Sequence, residues 1–345
     1  MISLKSITSK KVFIIAELSA NHNGSIETAE KTIRAAKRAG ADAIKLQTYT
    51  PDTLTLDSQK KDFIINNGSI WDGKNFYELY KQAYTPWEWH ERLFEVAKQE
   101  NLLFFSSPFD NSSVDFLETL KVPFYKIASF EINDIPLIDY IASKGKPIIL
   151  STGIASYDDI SLALKTIKKR GNFDVALLKC TSSYPSPIDD ANLIMINEYK
   201  DKFNVIPGLS DHTLGIISPI VAVSLGARII EKHFILNKDI EGPDSSFSLD
   251  ENEFSEMVEN VRMAEKAIGQ KTFQLTDKQI KSKDFSRSIY VINDIKKGEC
   301  FTSKNIKSIR PSFSLSPKYY KDIIDQTSKK DFEKGDRITL NDFEL

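Results

Sequence analysis

At 345 residues the chain is longer than one hydrophobic core comfortably fills, so a large domain with a smaller companion is expected. Hydrophobic residues make up 41% and charged residues 27%, the composition of an ordered soluble protein, and 46 basic against 48 acidic side chains offer no bulk attraction to nucleic acid or an anionic membrane. Only two cysteines, Cys180 and Cys300, are present, which is no disulfide framework and points to a reducing, cytoplasmic setting.

From the first apolar run onward, short apolar stretches alternate with amphipathic stretches of helical length. The strand-like runs are 12–18, 43–47, 102–107, 124–129, 147–153, 175–182, 204–211 and 228–234. Run 12–18 is too short to span a membrane, and Glu17 stands where a signal peptide would continue apolar, so it reads as a buried strand. Eight strand–helix units predict a closed parallel (β/α)8 TIM barrel rather than an open sheet. Residues 29–39 carry one apolar stripe with Gly40 at the cap position, Gly226 ends the helix before the eighth strand, and a last helix runs over 251–268 to Gly269. The connection 48–84 is too long for this pattern. Its aromatics Trp71, Tyr77 and Tyr80 read as a satellite core against the barrel wall, with cover over a sugar-sized ligand as the alternative.

The predicted barrel domain is 1–269, followed by a polar, lysine-rich linker at 270–284 and a small mostly-β domain at 285–345. The small domain contains an echo. Asp294-Ile-Lys-Lys-Gly-Glu matches Asp331-Phe-Glu-Lys-Gly-Asp, each predicting a turn at Lys-Gly-acidic and then a short strand ending in Thr302 or Thr339.

Active sites of such barrels lie at the carboxyl ends of the strands. Those ends supply Glu17, Lys45, Gln47, Ser106, Ser107, Lys126, Ser129, Ser151, Thr152, Lys179, Thr181, the run 210–212 and the run 231–233. Lys45, Lys126, Lys179 and Lys232, with several hydroxyls, point to an anionic substrate; for any one lysine the alternative is a solvated rim. His212 and His233 close strands seven and eight. Two neutral imidazoles at one sheet edge suit a catalytic divalent metal with open positions, while the alternative is that each satisfies a local hydrogen bond. Asp211 and Glu231 beside them are candidate acceptors for the rings. His22, in Asn21-His-Asn-Gly24, reads equally as a substrate contact or a turn residue, and His90 as a packing residue. No glycine-rich dinucleotide fingerprint and no phosphate-loop motif occurs, which disfavours nucleotide chemistry.

These motifs, Phe13-Ile-Ile-Ala-Glu17 with Asn21-His-Asn-Gly24, Ala41-Asp-Ala-Ile-Lys-Leu-Gln47, Tyr125-Lys-Ile-Ala-Ser129, Leu150-Ser-Thr-Gly153, Gly208-Leu-Ser-Asp-His212 and Glu231-Lys-His-Phe234, together resemble the sialic acid synthase family. The resemblance implies condensation of phosphoenolpyruvate with an N-acetylated amino sugar, using a divalent metal, in a TIM barrel followed by a small antifreeze-like (SAF, β-clip) domain. It makes His212 and His233 the metal ligands, the metal being manganese with magnesium or cobalt as alternatives. Lys45, Lys126, Ser129, Ser151 and Ser210 become phosphoenolpyruvate contacts, and Glu17, Gln47, Tyr184 and Asp244 sugar-side residues. Ser107 and Lys179 are further substrate-binding candidates, and Glu17, Lys45, Lys126, Asp211 and Glu231 are the catalytic set. Arg310, in Ser308-Ile-Arg-Pro311, is similar to an arginine that the small domain inserts into the neighbouring subunit's site, which implies a domain-exchanged homodimer.

Within the family, Glu17-Leu-Ser-Ala-Asn-His22 and Gln47-Thr-Tyr-Thr-Pro-Asp52 look like the branch making pseudaminic acid. Ser182 departs from the asparagine common in neuraminate-type members, so whatever that asparagine contacts is bound differently here. The expected acceptor is 2,4-diacetamido-2,4,6-trideoxy-L-altrose, with an N-acetylneuraminate or legionaminate synthase as the alternative. On residues alone a Schiff-base aldolase using Lys126 or Lys179 and a non-catalytic carbohydrate-binding protein are the rivals.

Overall fold

The computed structural model describes residues 2–343. The chain forms two compact units, Met1–Gly269 and Gln270–Leu345.

The first unit is a closed barrel of eight parallel strands in sequential order: β1 (Phe13–Glu17), β2 (Ala43–Thr48), β3 (Leu103–Pro108), β4 (Tyr125–Ile127), β5 (Ile148–Ser151), β6 (Val175–Cys180), β7 (Ile206–Asp211) and β8 (Ile229–His233). All eight predicted strands are present. Closure comes from β8 pairing with β1 along its whole length, which sets Glu17 opposite His233. A helical segment follows each strand, and the helix Glu251–Ile268 completes the ring, its Asp250 side chain capping the amide groups of Asn252 and Glu253. A short helix, Leu4–Thr8, absent from the sequence reading, comes before β1, and its Leu4 joins the barrel's inner core.

Side chains along a strand alternate between faces, and this parity decides which strand-end residues reach the site. Phe13, Ile15, Ala43, Phe105, Phe124, Ile149, Ala176, Leu178 and Ile229 fill the barrel interior. The next inward positions on the same strands are Glu17, Lys45, Ser107, Lys126, Ser151, Cys180, Ser210 and Glu231. The outward positions, such as Ile14, Ile44, Leu150, Leu177, Leu209 and Ile230, pack beneath the helices in the larger core. Gly208 is required where β7 passes its neighbours: a Cβ there would lie 2.4 Å from Leu178 Cδ2 and 2.7 Å from the Ile229 carbonyl oxygen.

The second unit has a two-stranded antiparallel sheet of β9 (Ser288–Val291) and β10 (Ile306–Ile309), with its own apolar core that includes Ile295, Phe301, Phe332 and Phe343. The echo in the sequence is a structural pair. Ile295 bridges Phe332, the Asp331 carboxylate accepts from the Lys297 amide (2.7 Å), and the Asp294 carboxylate accepts from the Lys334 amide (2.9 Å). Both turns place their glycine, Gly298 or Gly335, at positive φ (90° and 97°). The strands predicted after these turns are instead single bridges, Cys300 with Thr327 and Arg337 with Tyr290 of β9. The stretch 270–284 belongs to this second unit, is exposed throughout, and contains the helix Asp277–Ser282 capped by Thr276. Among the described residues no helix is long and apolar enough to cross a membrane.

Candidate active site

The inward strand-end side chains open into a cavity of about 370 Å³ at the carboxyl end of the barrel. At its floor two lysines and two glutamates interlock. Lys45 Nζ lies 2.9 Å from Glu17 Oε2 and 3.6 Å from Glu231 Oε1, and Lys126 Nζ lies 3.4 Å from that same Glu231 oxygen. Lys126 also donates to Ser151 Oγ (2.7 Å), Ser210 Oγ donates to Glu231 Oε1 (3.0 Å), and Gln47 donates to Glu17 Oε1 (3.2 Å). Ser107 accepts from Lys45 at 3.4 Å, which places it under the lysine rather than on the cavity wall.

All four charged groups are buried. Burial pushes the Glu17 carboxyl up to about 7; Lys45 opposes the shift and Glu231 reinforces it. Burial acts the same way on Glu231, but Lys126 and Lys45 outweigh it and hold that carboxyl below its usual range. Burial lowers the Lys126 ammonium, with Glu231 opposing. Two lysine nitrogens thus share this floor with one carboxyl that they hold below its usual range and another that burial raises to about 7, an arrangement suited to an anion.

Above the floor stand the two histidines, their ring centroids 5.3 Å apart. His212 Nδ1 lies 3.0 Å from the Thr181 carbonyl oxygen, so that nitrogen donates and, in the neutral ring, Nε2 carries the lone pair. Burial disfavours charge on His212, but the Cys180 thiol 3.8 Å away and the Thr181 carbonyl outweigh it and raise the pKa. His233 is driven well below the ordinary imidazole value by burial and by His212. Its Nδ1 has no hydrogen-bond partner among the described residues, and the nearest acid, Asp244 Oδ2, is 3.7 Å away. A neutral, unpartnered imidazole nitrogen beside a second oriented ring is the donor chemistry a borderline divalent cation accepts. Among the described residues no third imidazole, thiol or carboxylate joins them closely enough to complete a ligand set, so the remaining positions would fall to water or substrate oxygens.

The side wall holds Ser129, Tyr184 and Asp244. Tyr184 packs against His212 with centroids 4.3 Å apart and the rings tilted by 46°, and Asp244 accepts from Ser19 Oγ (2.5 Å). Ser182 lies behind the wall, bonded to Ser129 Oγ at 2.5 Å.

Two of the predicted residues face away from the cavity. Lys179 is one residue out of phase with Cys180: it faces outward and donates to the Cys180 carbonyl (2.7 Å), so its ammonium does not line the cavity. Asp211 is likewise outward, paired with Lys232 at 2.6 Å on the far side of the β7–β8 wall, and cannot touch a substrate or orient a ring from there. Arg310 is exposed in the second unit at the end of β10. His22 takes the turn role, its Nδ1 accepting from the Gly24 amide (3.1 Å); burial pulls its pKa down to about 4, and it does not line the cavity. His90 is a packing residue between Thr48 and the Pro86 carbonyl.

The cavity also takes in residues outside the predicted catalytic and binding set. Glu131, on the turn after β4, has a buried carboxyl oxygen with no partner, and burial raises its pKa to about 7 against the pull of Lys126. Its only sequence signal is an acid five residues beyond Lys126 in a loop at the mouth. Trp71 lines the cavity from the long loop and packs on Tyr184 (5.5 Å). Tyr80 lines it too, whereas Tyr77 turns away to Asp52.

The model of the NeuB family matches residues 32–273, and that of the SAF domain matches residues 286–344. The chain belongs to the NeuB family. Among curated relatives, a pseudaminic acid synthase of Campylobacter jejuni is 53% identical over 336 residues, covering 97% of this chain and 98% of that one. One of Helicobacter pylori is 48% identical, covering 96% and 97%. Among solved structures, an N-acetylneuraminic acid synthetase from Leptospira borgpetersenii, in complex with citrate, is 33% identical with a TM-score of 0.71, covering 79% of this chain and 90% of that one. The NeuB-family barrel and SAF domain correspond to the two compact units.

Proposed function

We propose that the chain condenses phosphoenolpyruvate with 2,4-diacetamido-2,4,6-trideoxy-L-altrose and water to give pseudaminic acid and phosphate. The observation that carries this reading is the pairing of a buried floor of two lysines and two glutamates with two adjacent imidazoles in one sugar-sized cavity, in a chain 53% identical to a pseudaminic acid synthase.

Lys45 and Lys126 bind the phosphate and carboxylate of phosphoenolpyruvate, with Ser129, Ser151 and Ser210 as neutral donors, and because they are already buried and fixed they neutralise charge without reorganisation. His212 and His233 would hold a divalent cation, manganese in the first instance, which when bound supplies Lewis acidity for a carbonyl oxygen. The enol carbon C3 attacks the aldehyde carbon of the open-chain sugar, and positive charge develops at C2. Glu17, half ionised near neutral pH, takes a proton from the water that adds to C2. The C2–O bond to phosphate then breaks, the C2 hydroxyl passing its proton to the departing phosphate to leave the keto acid, while the proton held by Glu17 ends on the former aldehyde oxygen, now a hydroxyl. Gln47, Tyr184 and Asp244 hold the sugar. By the family resemblance, Arg310 belongs to a small domain that a second copy lends to the cavity.

The test is a phosphate-release assay in oxygen-18 water. Label in the keto acid with unlabelled phosphate is expected; labelled phosphate overturns the bond-breaking step, and N-acetylmannosamine as the best acceptor overturns the choice of sugar.

A further inference from the structure

Asn21 opens the stretch Asn21-His-Asn-Gly24 after β1. It does not line the cavity, yet it is only 1% exposed. Its Nδ2 donates to the Phe234 carbonyl (3.0 Å), one residue past His233, and to Ser248 Oγ (2.8 Å). A carbonyl oxygen only accepts, so the amide nitrogen must face Phe234, which fixes the orientation of the group. The amide oxygen is buried with no partner among the described residues. Asn21 therefore acts through its two N–H groups, and neither an aspartate nor a leucine of similar size supplies both.

Ser248 carries the contact onward. Its hydroxyl accepts from Asn21 and gives its own proton to the Asp244 carbonyl (2.6 Å), a directional chain in a fully buried setting. Asp244 is thus held at two points, its backbone by Ser248 and its carboxylate by Ser19 Oγ. Ser19 reaches that carboxylate from a left-handed backbone, φ 47°, an unfavourable conformation for serine that the surrounding contacts must maintain. The Asp244 oxygen bonded to Ser19 lies 3.7 Å from His233 Nδ1, outside hydrogen-bond distance.

We propose that Asn21 and Ser248 are positioning residues for the acceptor sugar: they hold the Asp244 carboxylate on the side wall of the cavity, turned to Ser19 and short of His233, where it accepts from a hydroxyl or amide N–H of the sugar. The inference rests on the proposed condensation and names what sets the geometry of its sugar contact.

Ser248→Ala breaks the chain and leaves every cavity-lining side chain unaltered. Binding of the diacetamido-trideoxy sugar to the full chain, read by calorimetry, is expected to weaken about tenfold, the cost of a buried hydrogen bond left unmade, with the affinity for phosphoenolpyruvate unchanged. Asn21→Ala is expected to behave alike, and Ser248→Ala, the smaller change, stands in for it should that variant not fold. The double variant Ser248→Ala with Asp244→Asn is expected to bind the sugar no more weakly than Asp244→Asn alone, because Ser248 acts through Asp244. Parent-like sugar affinity in Ser248→Ala, an equal loss for both ligands, or losses that add in the double variant would each overturn the assignment. Sugar binding without phosphate release by the parent chain sinks the proposed condensation and leaves these binding comparisons decisive; no binding of the sugar by the parent overturns both.

Discussion

Replacing Glu131 by glutamine tests whether burial governs the electrostatics of the cavity. The Glu131 carboxyl is raised from its usual 4.5 to about 7 in the folded chain, chiefly by loss of water. Between those two pH values the folded state keeps a proton that the unfolded state has released. Stability is therefore undiminished below about pH 4.5, falls as pH rises toward 7, and is level above it. At about 1.4 kcal/mol per pH unit, a shift of that size costs up to about 3 kcal/mol at pH 8. Glutamine does not ionise. Relative to the parent, Glu131→Gln should gain up to about 3 kcal/mol between pH 4.5 and pH 8, whatever its constant offset, and other titrating groups cancel in the difference. Urea unfolding followed by tryptophan fluorescence measures this for the barrel alone, since Trp71, Trp87 and Trp89, the only tryptophans, all belong to the first unit. A stability difference that does not change with pH would refute the argument that Glu131 is held unpaired and dry.

Replacing both His212 and His233 by alanine should weaken manganese binding, measured by calorimetry, more than the ten- to hundredfold typical of changes behind a metal site; unaltered affinity would remove the metal from these rings. Lys232→Met leaves Asp211 buried without its partner and should destabilise the barrel by about 3–5 kcal/mol in urea unfolding. A loss below about 1 kcal/mol would mean that water reaches the pair. In Gly208→Ala the new methyl meets a backbone carbonyl that cannot turn aside, and a cost of about 1–3 kcal/mol is expected in thermal melts; a variant as stable as the parent would show that β7 can shift.

Much of the fold was legible because its signals are local. Each strand is an apolar run flanked by a helical stripe, and eight of them closed as counted. The 3.6-residue stripe and the glycine that ends a helix need no knowledge of the rest of the chain, which is why the last barrel helix could be bounded at Ile268 and Gly269. The echo around Asp294 and Asp331 was equally visible, but not its consequence: the segments after the two turns bond to 325–328 and to β9 instead of forming strands of their own.

The site divides along the same line. Residue identity and order along the chain determined that lysines, glutamates and two histidines gather at one end of a barrel. Which of them enters the cavity was decided by the parity of each strand in the closed barrel, fixed by the inward row from Phe13 to Ile229. That parity turns Cys180 in and Lys179 out, Ser210 and His212 in and Asp211 out. Likewise the elevated pKa of Glu131 and the orphaned indole of Trp71 are properties of burial, which depends on what distant segments cover them. Composition can supply an acid or an indole, but only the folded chain removes the water from around it.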